Sequence, residues 1–264
     1  TRLRAAASGV LPNGKPVIVN SDGTVSVVAG IAAGVGSAVT FNNANTFDTS
    51  SVFDSNSNKV IVAYRDVGQS QHGYAVVGTV SGTSITFGTP VEFENAVIAS
   101  VGIGFDSNLN KVLIVYKDEG NSFYGTSIVG TVSGTSISFG TPVVYSSATT
   151  SSQTATFDSN SNKMVVAYTH GAKVGTISGT GISYGSAATF SPSGSNASFI
   201  AMCFDSNSNK LVVSFRPQSD NQGYTAIGTV SGTSISFGTA VKFNAATTSA
   251  INNTFDSNSN KVVV

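Results

Sequence analysis

Lys59 to Tyr64 places Val60, Val62 and Tyr64 on one side of a strand and Ile61 and Ala63 on the other, and both sides are apolar. A strand of that pattern is expected to be buried on both faces. The residues that follow repeat the theme in polar-bounded pieces, shown clearly by the stretch from Ser100 to Tyr145. Segment a, Ser100 to Phe105, is short and apolar, and segment b runs from Lys111 to Tyr116. Segment c runs from Thr126 to Val132, and segment d from Ser136 to Phe139, continuing through Pro142 to Tyr145. Each is rich in β-branched and aromatic residues and bounded by Gly, Asn, Ser or Asp, and no helical period intervenes.

The four-segment unit recurs. Phe-Asp-Ser-Asn-Ser-Asn-Lys begins at Phe53, Phe157, Phe204 and Phe255, and at Phe105 with Leu109 in place of Ser, in steps of 52, 52, 47 and 51 residues. Val-Gly-Thr-Val-Ser-Gly-Thr-Ser-Ile starts at Val77 and Val129, and again at Ile227 with Ile leading. Four strands in about 50 residues is the size of one β-propeller blade. Between a and b the Asp can accept backbone N–H groups in an Asx-turn, and the Asn residues tolerate the left-handed conformation. Between c and d, Ser-Gly-Thr-Ser predicts a tight hairpin with Gly at positive φ. Gly78, Gly130, Gly175 and Gly228 inside segment c predict bulging or close approach of neighbouring blades.

The ends fit the same register. Lys15 to Phe41 reads as a shortened b–c–d unit, because Gly30, Gly36, Val39 and Phe41 precede Gly82, Gly88, Val91 and Phe93 by 52 residues. The other end holds a and b, ending at Val264. The expected fold is therefore all-β, a five-bladed propeller of four-stranded blades whose last blade is closed by the N- and C-terminal strands. Residues 1–14 form an N-terminal extension, with blade units at about 15–52, 53–104, 105–156, 157–203 and 204–254, and 255–264 closing. Closure pairs residues 249–264 with 24–41. One b segment is surplus, 17–19 or 262–264, so either a copy is displaced or the chain is part of a longer array.

Composition narrows the partners. Thirteen basic and thirteen acidic residues cancel, which disfavours nucleic acid. No apolar run reaches the roughly 18–20 residues of a membrane span, so no membrane insertion is expected. Cys203 is the single cysteine, which excludes an intrachain disulfide, and it reads as a small buried filler. His72 and His170 lie in different units without a His or Cys nearby, against zinc. The Asp-Ser-Asn-Ser-Asn turn lacks the Gly and the bidentate Glu of a calcium loop. No metal and no cofactor are expected. The start, Thr-Arg-Leu-Arg, has no initiator Met and reads as a processed or excised chain.

The Phe-Asp-Ser-Asn-Ser-Asn-Lys-Val-Val-Val unit resembles the strand–turn–strand element of YVTN-type and kelch-like propellers over residues 53–264. Residues 7–25, Ala-Ser-Gly-Val-Leu-Pro-Asn-Gly-Lys-Pro onward, resemble leader segments of repeat-rich structural proteins of marine bacteriophages. That second resemblance implies a tail or virion-surface component that attaches to hosts, with other virion, tail or surface proteins as partners and a virion-surface or extracellular location.

In a four-stranded blade the a–b and c–d turns fall on one face and the b–c and d–a loops on the other. Copy-to-copy variation gathers on the second face, where scaffolded loops commonly carry binding residues. The candidate ligand-binding residues are Arg65, Asp66, His72, Tyr74, Lys117, Asp118, Tyr124, Arg216, Asp220 and Tyr224. The tyrosines suit the apolar face of a sugar ring, or else pack at the blade rim. The three cations suit an anionic sugar, or else pair with Asp66, Asp118 or Asp220. Five acids are committed to the repeated turns, and Asp66, Asp118, Glu119, Asp220 and Glu94 remain without a catalytic motif. The expectation from sequence is thus a non-enzymatic surface module that binds a glycan or host receptor, with no catalytic residues. A spacer or assembly component is the alternative, and a glycan hydrolase a lesser one.

Overall fold

The computed structural model describes residues 6–7, 9–10, 17–22, 24–27 and 36–264. It divides into two compact units: Thr1–Ala38 with Gly82–Ser84, and Val39–Ser81 with Ile85–Val264. In the smaller unit β1 (Val17–Val19) pairs antiparallel with β2 (Val25–Val27), and Ala7 adds a parallel bridge to Val25.

The larger unit holds the propeller blades. The first is β3 (Thr46–Asp54), β4 (Lys59–Asp66), β5 (His72–Ser81), β6 (Ser84–Phe87) and β7 (Val91–Glu94). The second is β8 (Ile98–Asp106), β9 (Lys111–Asp118), β10 (Tyr124–Ser133), β11 (Ser136–Phe139) and β12 (Val143–Thr149). The third is β13 (Gln153–Asp158), β14 (Lys163–Tyr168), β15 (Gly171–Ser178) and β16 (Gly181–Tyr184). The fourth is β17 (Ala197–Asp205), β18 (Lys210–Pro217), β19 (Gly223–Ser231), β20 (Ser234–Phe237) and β21 (Val241–Asn244). A fifth begins with the hairpin β22 (Thr254–Asp256) and β23 (Lys261–Val263). Each of the first four blades runs a–b–c–d antiparallel, and β7, β12 and β21 continue strand d beside strand c after a break. The fold is an all-β propeller, as the repeat predicts. The closing ladder between 249–264 and 24–41 falls partly on residues 28–35, outside the described ones.

The local signals act as their chemistry requires. Asp54 Oδ1 accepts from the Asn56 and Ser57 amides at 2.9 and 3.0 Å, and Asp106, Asp158, Asp205 and Asp256 repeat the turn. Asn58, Asn110, Asn162, Asn209 and Asn260 then turn left-handed with φ between 53° and 56°. The Lys after each of the first four turns reaches a strand-c threonine, as Lys111 Nζ does to Thr131 Oγ1 at 2.7 Å. One expectation is corrected. Gly130 lies directly opposite Phe139 within its own sheet, and a Cβ there would meet that ring, so the strand-c glycines seat strand-d aromatics and do not bring blades together.

Blade contact uses a different glycine. A Cβ on Gly88, Gly140 or Gly185 would stand 1.9 Å from the carbonyl oxygen of Thr135, Thr180 or Thr233 in the next blade's c–d turn. Above this notch, one aromatic locks two blades: Phe93 packs at 5.3 Å on Tyr116 and 5.8 Å on Phe139, Tyr145 similarly on Tyr168 and Tyr184, and Phe190 on Phe215 and Phe237. Ile61 and Ala63 face the second blade's Ile114 and Tyr116, while Val62 and Tyr64 turn the other way, so strand b is buried on both sides. The fourth blade departs from this: Ile227 is 45% exposed where its counterparts Val77, Val129 and Val174 are 0–1% exposed. Just before the fifth hairpin, Asn253 reaches strand b of the fourth blade, its Nδ2 donating to Val212 O at 3.0 Å and Ser214 Oγ at 3.1 Å.

Candidate functional site

Strand b ends on the variable rim, and the sequence-derived candidates stand there in blade-local groups. Asp66 accepts from the Gly68 amide at 2.8 Å and Asp118 from the Asn121 amide at 3.0 Å, so each carboxylate first organises its own loop. Arg65 does not pair with Asp66. Its Nε lies 3.2 Å from Asp48, and its guanidinium lies 5.1 Å from the centre of the Phe47 ring. Lys117 pairs with Glu119 at 2.8 Å instead of Asp118 and lies over Phe123. Arg216 donates to Ser198 Oγ and the Thr248 carbonyl and stacks on Phe199 at 4.5 Å, with no carboxylate partner among the described residues.

The tyrosines do not form one class. Tyr74 and Tyr224 stand opposite Tyr64 and Phe215 in the same register, whereas Tyr124 stands two residues earlier, opposite Asp118, where the first blade has His72. His72 Nδ1 meets Glu92 Oε1 at 2.7 Å, and the Tyr74 hydroxyl donates to the same oxygen at 3.2 Å. Partial burial and the Glu92 charge push the Tyr74 hydroxyl up. The Tyr224 hydroxyl donates to Asp220 at 2.7 Å and, with the Gln222 amide, holds that exposed carboxyl below the usual range. No hydrogen bond or ion pair joins candidates of different blades among the described residues. The ten do not make a single site.

The structure does bring together three groups across the first blade interface. Glu94 closes β7, while Tyr116 and Asp118 close β9 of the next blade. The buried Tyr116 hydroxyl donates to Glu94 Oε2 at 2.9 Å. Burial and then the neighbouring Glu94 charge raise Asp118 above the ordinary carboxyl range, against the lowering pull of the Asn121 and Gly120 amides. Asp118 is 7% exposed. The arrangement offers a carboxyl group biased to hold its proton beside a carboxylate oriented by a phenol. Sequence reading kept Glu94 only as an unassigned acid. A signal was available, since Ser146, 52 residues on, shows that the acid belongs to one blade alone.

A cleft of about 430 Å³ lies at the next interface, on the same rim, where only Thr169 and His170 separate β14 from β15. Its walls include Tyr145, Tyr168, His170 and Lys173. Cleft and carboxyl pair flank the second blade on its two sides.

No protein-family model and no curated protein match the chain. Among solved structures it is similar to Trypanosoma rangeli sialidase in complex with 2,3-difluorosialic acid, as a covalent intermediate, at 13% identity and a TM-score of 0.46, over 85% of this chain and 40% of that one. It is similar to the same sialidase in complex with sialic acid at 13% identity and a TM-score of 0.46, over 91% of this chain and 43% of that one. The chain thus spans less than half the length of these proteins. The solved structures to which the chain is similar are sialidases, in contrast to the expectation of a non-enzymatic module, and Glu94 and Asp118 bring together two carboxyl groups that sequence reading did not pair.

Proposed function

We propose that this chain is a glycan hydrolase acting from the variable rim of the propeller, with Asp118 and Glu94 as its reacting pair. The observation that carries this reading is the raised Asp118 carboxyl beside a Glu94 carboxylate that is held by Tyr116. Glycoside hydrolysis needs one carboxylic acid that keeps its proton at working pH and one carboxylate that does not. Asp118 in its protonated form gives that proton to the glycosidic oxygen as the C–O bond breaks. Glu94 acts on the sugar carbon from its charged state, either directly or through a water it deprotonates. The Tyr116 hydroxyl, donating to Oε2, leaves Oε1 as the free acceptor and fixes the plane of the carboxylate.

The test is release of reducing ends or aryl aglycone from a panel of neutral and acidic oligosaccharides and aryl glycosides. Asp118→Asn and Glu94→Gln should each lower turnover by about 10²–10⁴-fold while circular dichroism stays unchanged. A folded wild-type chain that releases nothing across the panel, or an Asp118→Asn variant as active as wild type, would overturn the reading.

We further propose a virion-surface or extracellular location. It is supported by the resemblance of residues 7–25 to phage structural leaders, and the kinship with YVTN- or kelch-like propellers by the Phe-Asp-Ser-Asn-Ser-Asn-Lys repeat. Antibody labelling of the source particles, with label confined to a cytoplasmic fraction, would refute the location.

A further inference from the structure

We infer that Glu92 is a positioning residue for Glu94. Two strand-c side chains of the first blade hold it, and through the end of β7 it sets the carboxylate that meets Tyr116. Its effect on turnover rests on the hydrolase reading above; its effect on Glu94 does not.

β7 meets β5 out of step. Val91 and Glu92 stand opposite Ala75 and Tyr74, but Glu94 stands opposite Gly73, so the ladder slips by one residue between them. The extra residue is Phe93, whose ring lies over Gly73, where a Cβ would stand 2.4 Å from it. Phe93 pins this four-residue strand to Tyr116 and Phe139 of the next blade. Glu92 and Glu94 lie on either side of that pin, where the bulge makes the pairing least regular. A short strand held at one point tilts about it, and a tilt that frees Glu92 carries Glu94 off the Tyr116 hydroxyl.

Glu92 resists the tilt. Its Oε1 meets His72 Nδ1 at 2.7 Å and accepts from the Tyr74 hydroxyl at 3.2 Å. Tyr74 is itself braced, because its ring stacks at 6.3 Å on the fully buried Tyr64. The core of the first blade is thereby joined through Tyr74, Glu92 and β7 to Glu94, whose Oε2 takes the Tyr116 hydroxyl at 2.9 Å. The same slip recurs in the second and fourth blades. There Val144 and Lys242 stand in the place of Glu92, and Ser146 and Asn244 in that of Glu94. A valine and an ammonium cannot accept such bonds. The brace is built into the one of these three strands that ends on an acid.

The whole chain is labelled with ¹³Cζ-tyrosine and read by NMR without substrate, with Tyr116→Phe identifying the Tyr116 line. Glu92→Ala should move that line in the direction in which Glu94→Gln moves it. It should also lower kcat by about tenfold while KM stays within about twofold. Glu92→Gln still offers an oxygen to both donors, and should restore the line and most of the turnover. Lys242→Ala, at the same strand position of the fourth blade, should change neither. His72→Ala combined with Tyr74→Phe removes the donors and keeps the acceptor, so it should reproduce the shift even where Glu92→Ala fails to fold. A Tyr116 line left in place by the donor-free variant, or Glu92→Gln as impaired as Glu92→Ala, would overturn the inference. A line that moves in a chain releasing no sugar refutes the hydrolase reading alone. Activity that Asp118→Asn abolishes, beside a Tyr116 line that Glu92→Ala leaves unmoved, refutes this inference alone.

Discussion

Gly140 and Gly238 occupy the same place in the same words, Phe-Gly-Thr after strand d, yet replacing each with Ala should have opposite effects. At Gly140 the added methyl would lie 1.9 Å from the Thr180 carbonyl oxygen and 2.9 Å from its carbon, both backbone atoms of the next blade. Ordinary contact is about 3.4 Å or more, so the two blades would have to part by roughly 1.5 Å at this point, in a close-packed interface. The Tyr145–Tyr168–Tyr184 lock sits on that interface and would loosen with it. Overpacking of this kind costs about 3 kcal/mol. At Gly238 the methyl would find, among the described residues, only the Ile227 carbonyl at 4.0 Å, and removing a glycine from the unfolded ensemble stabilises by about 0.5 kcal/mol. Neither glycine requires a positive φ, so backbone strain does not separate them. At about 2–4 °C per kcal/mol for a domain of this size, the two variants should melt about 10 °C apart. Thermal denaturation followed by circular dichroism reads the difference. Variants within a degree or two of each other would refute the blade stacking described above.

Two further outcomes follow from burial. The Asp118 carboxyl binds a proton more tightly folded than unfolded, so its charge opposes folding as pH rises above the unfolded carboxyl range and the opposition vanishes in acid. Asp118→Asn should therefore melt higher than wild type at pH 7, with the gap closing toward about pH 3–4, even as it loses activity; a lower melting point at neutral pH would contradict this. Burial, then the Asp205 charge, pushes the Cys203 thiol up to about 11. At pH 8 its thiolate fraction is then about a hundredfold or more below that of a free cysteine, and iodoacetamide should label it correspondingly slowly; alkylation at the free-cysteine rate would show that the side chain is not shielded.

The propeller was legible because its information is local and repeated. An Asp that caps its own turn two and three residues on, an Asn at positive φ after it, and a Gly in the c–d turn act within a few residues of themselves, and five copies of Asp54's turn made the reading secure. The site was not legible in the same way. On the variable rim Arg65, Lys117 and Arg216 find Asp48, Glu119 and the Ser198–Thr248 pair, partners that strand register and loop course select. Glu94 meets Tyr116 only because the end of one blade is pressed against strand b of the next, a contact between sheets with no sequence period of its own.

Composition, alternation and turn chemistry by themselves determined the strands, their order within a blade and the repetition of blades, since hydrogen bonding and side-chain period act along the chain. Tertiary structure decided what identical words mean. The Phe-Gly-Thr glycine is a blade-to-blade notch at Gly140 and meets no other blade at Gly238 among the described residues, and a strand-c position that is core at Val76 holds a half-buried cation at Lys173. The physical reason is that burial and electrostatic environment are set by the neighbouring blade, and the residue's own segment carries no record of that neighbour.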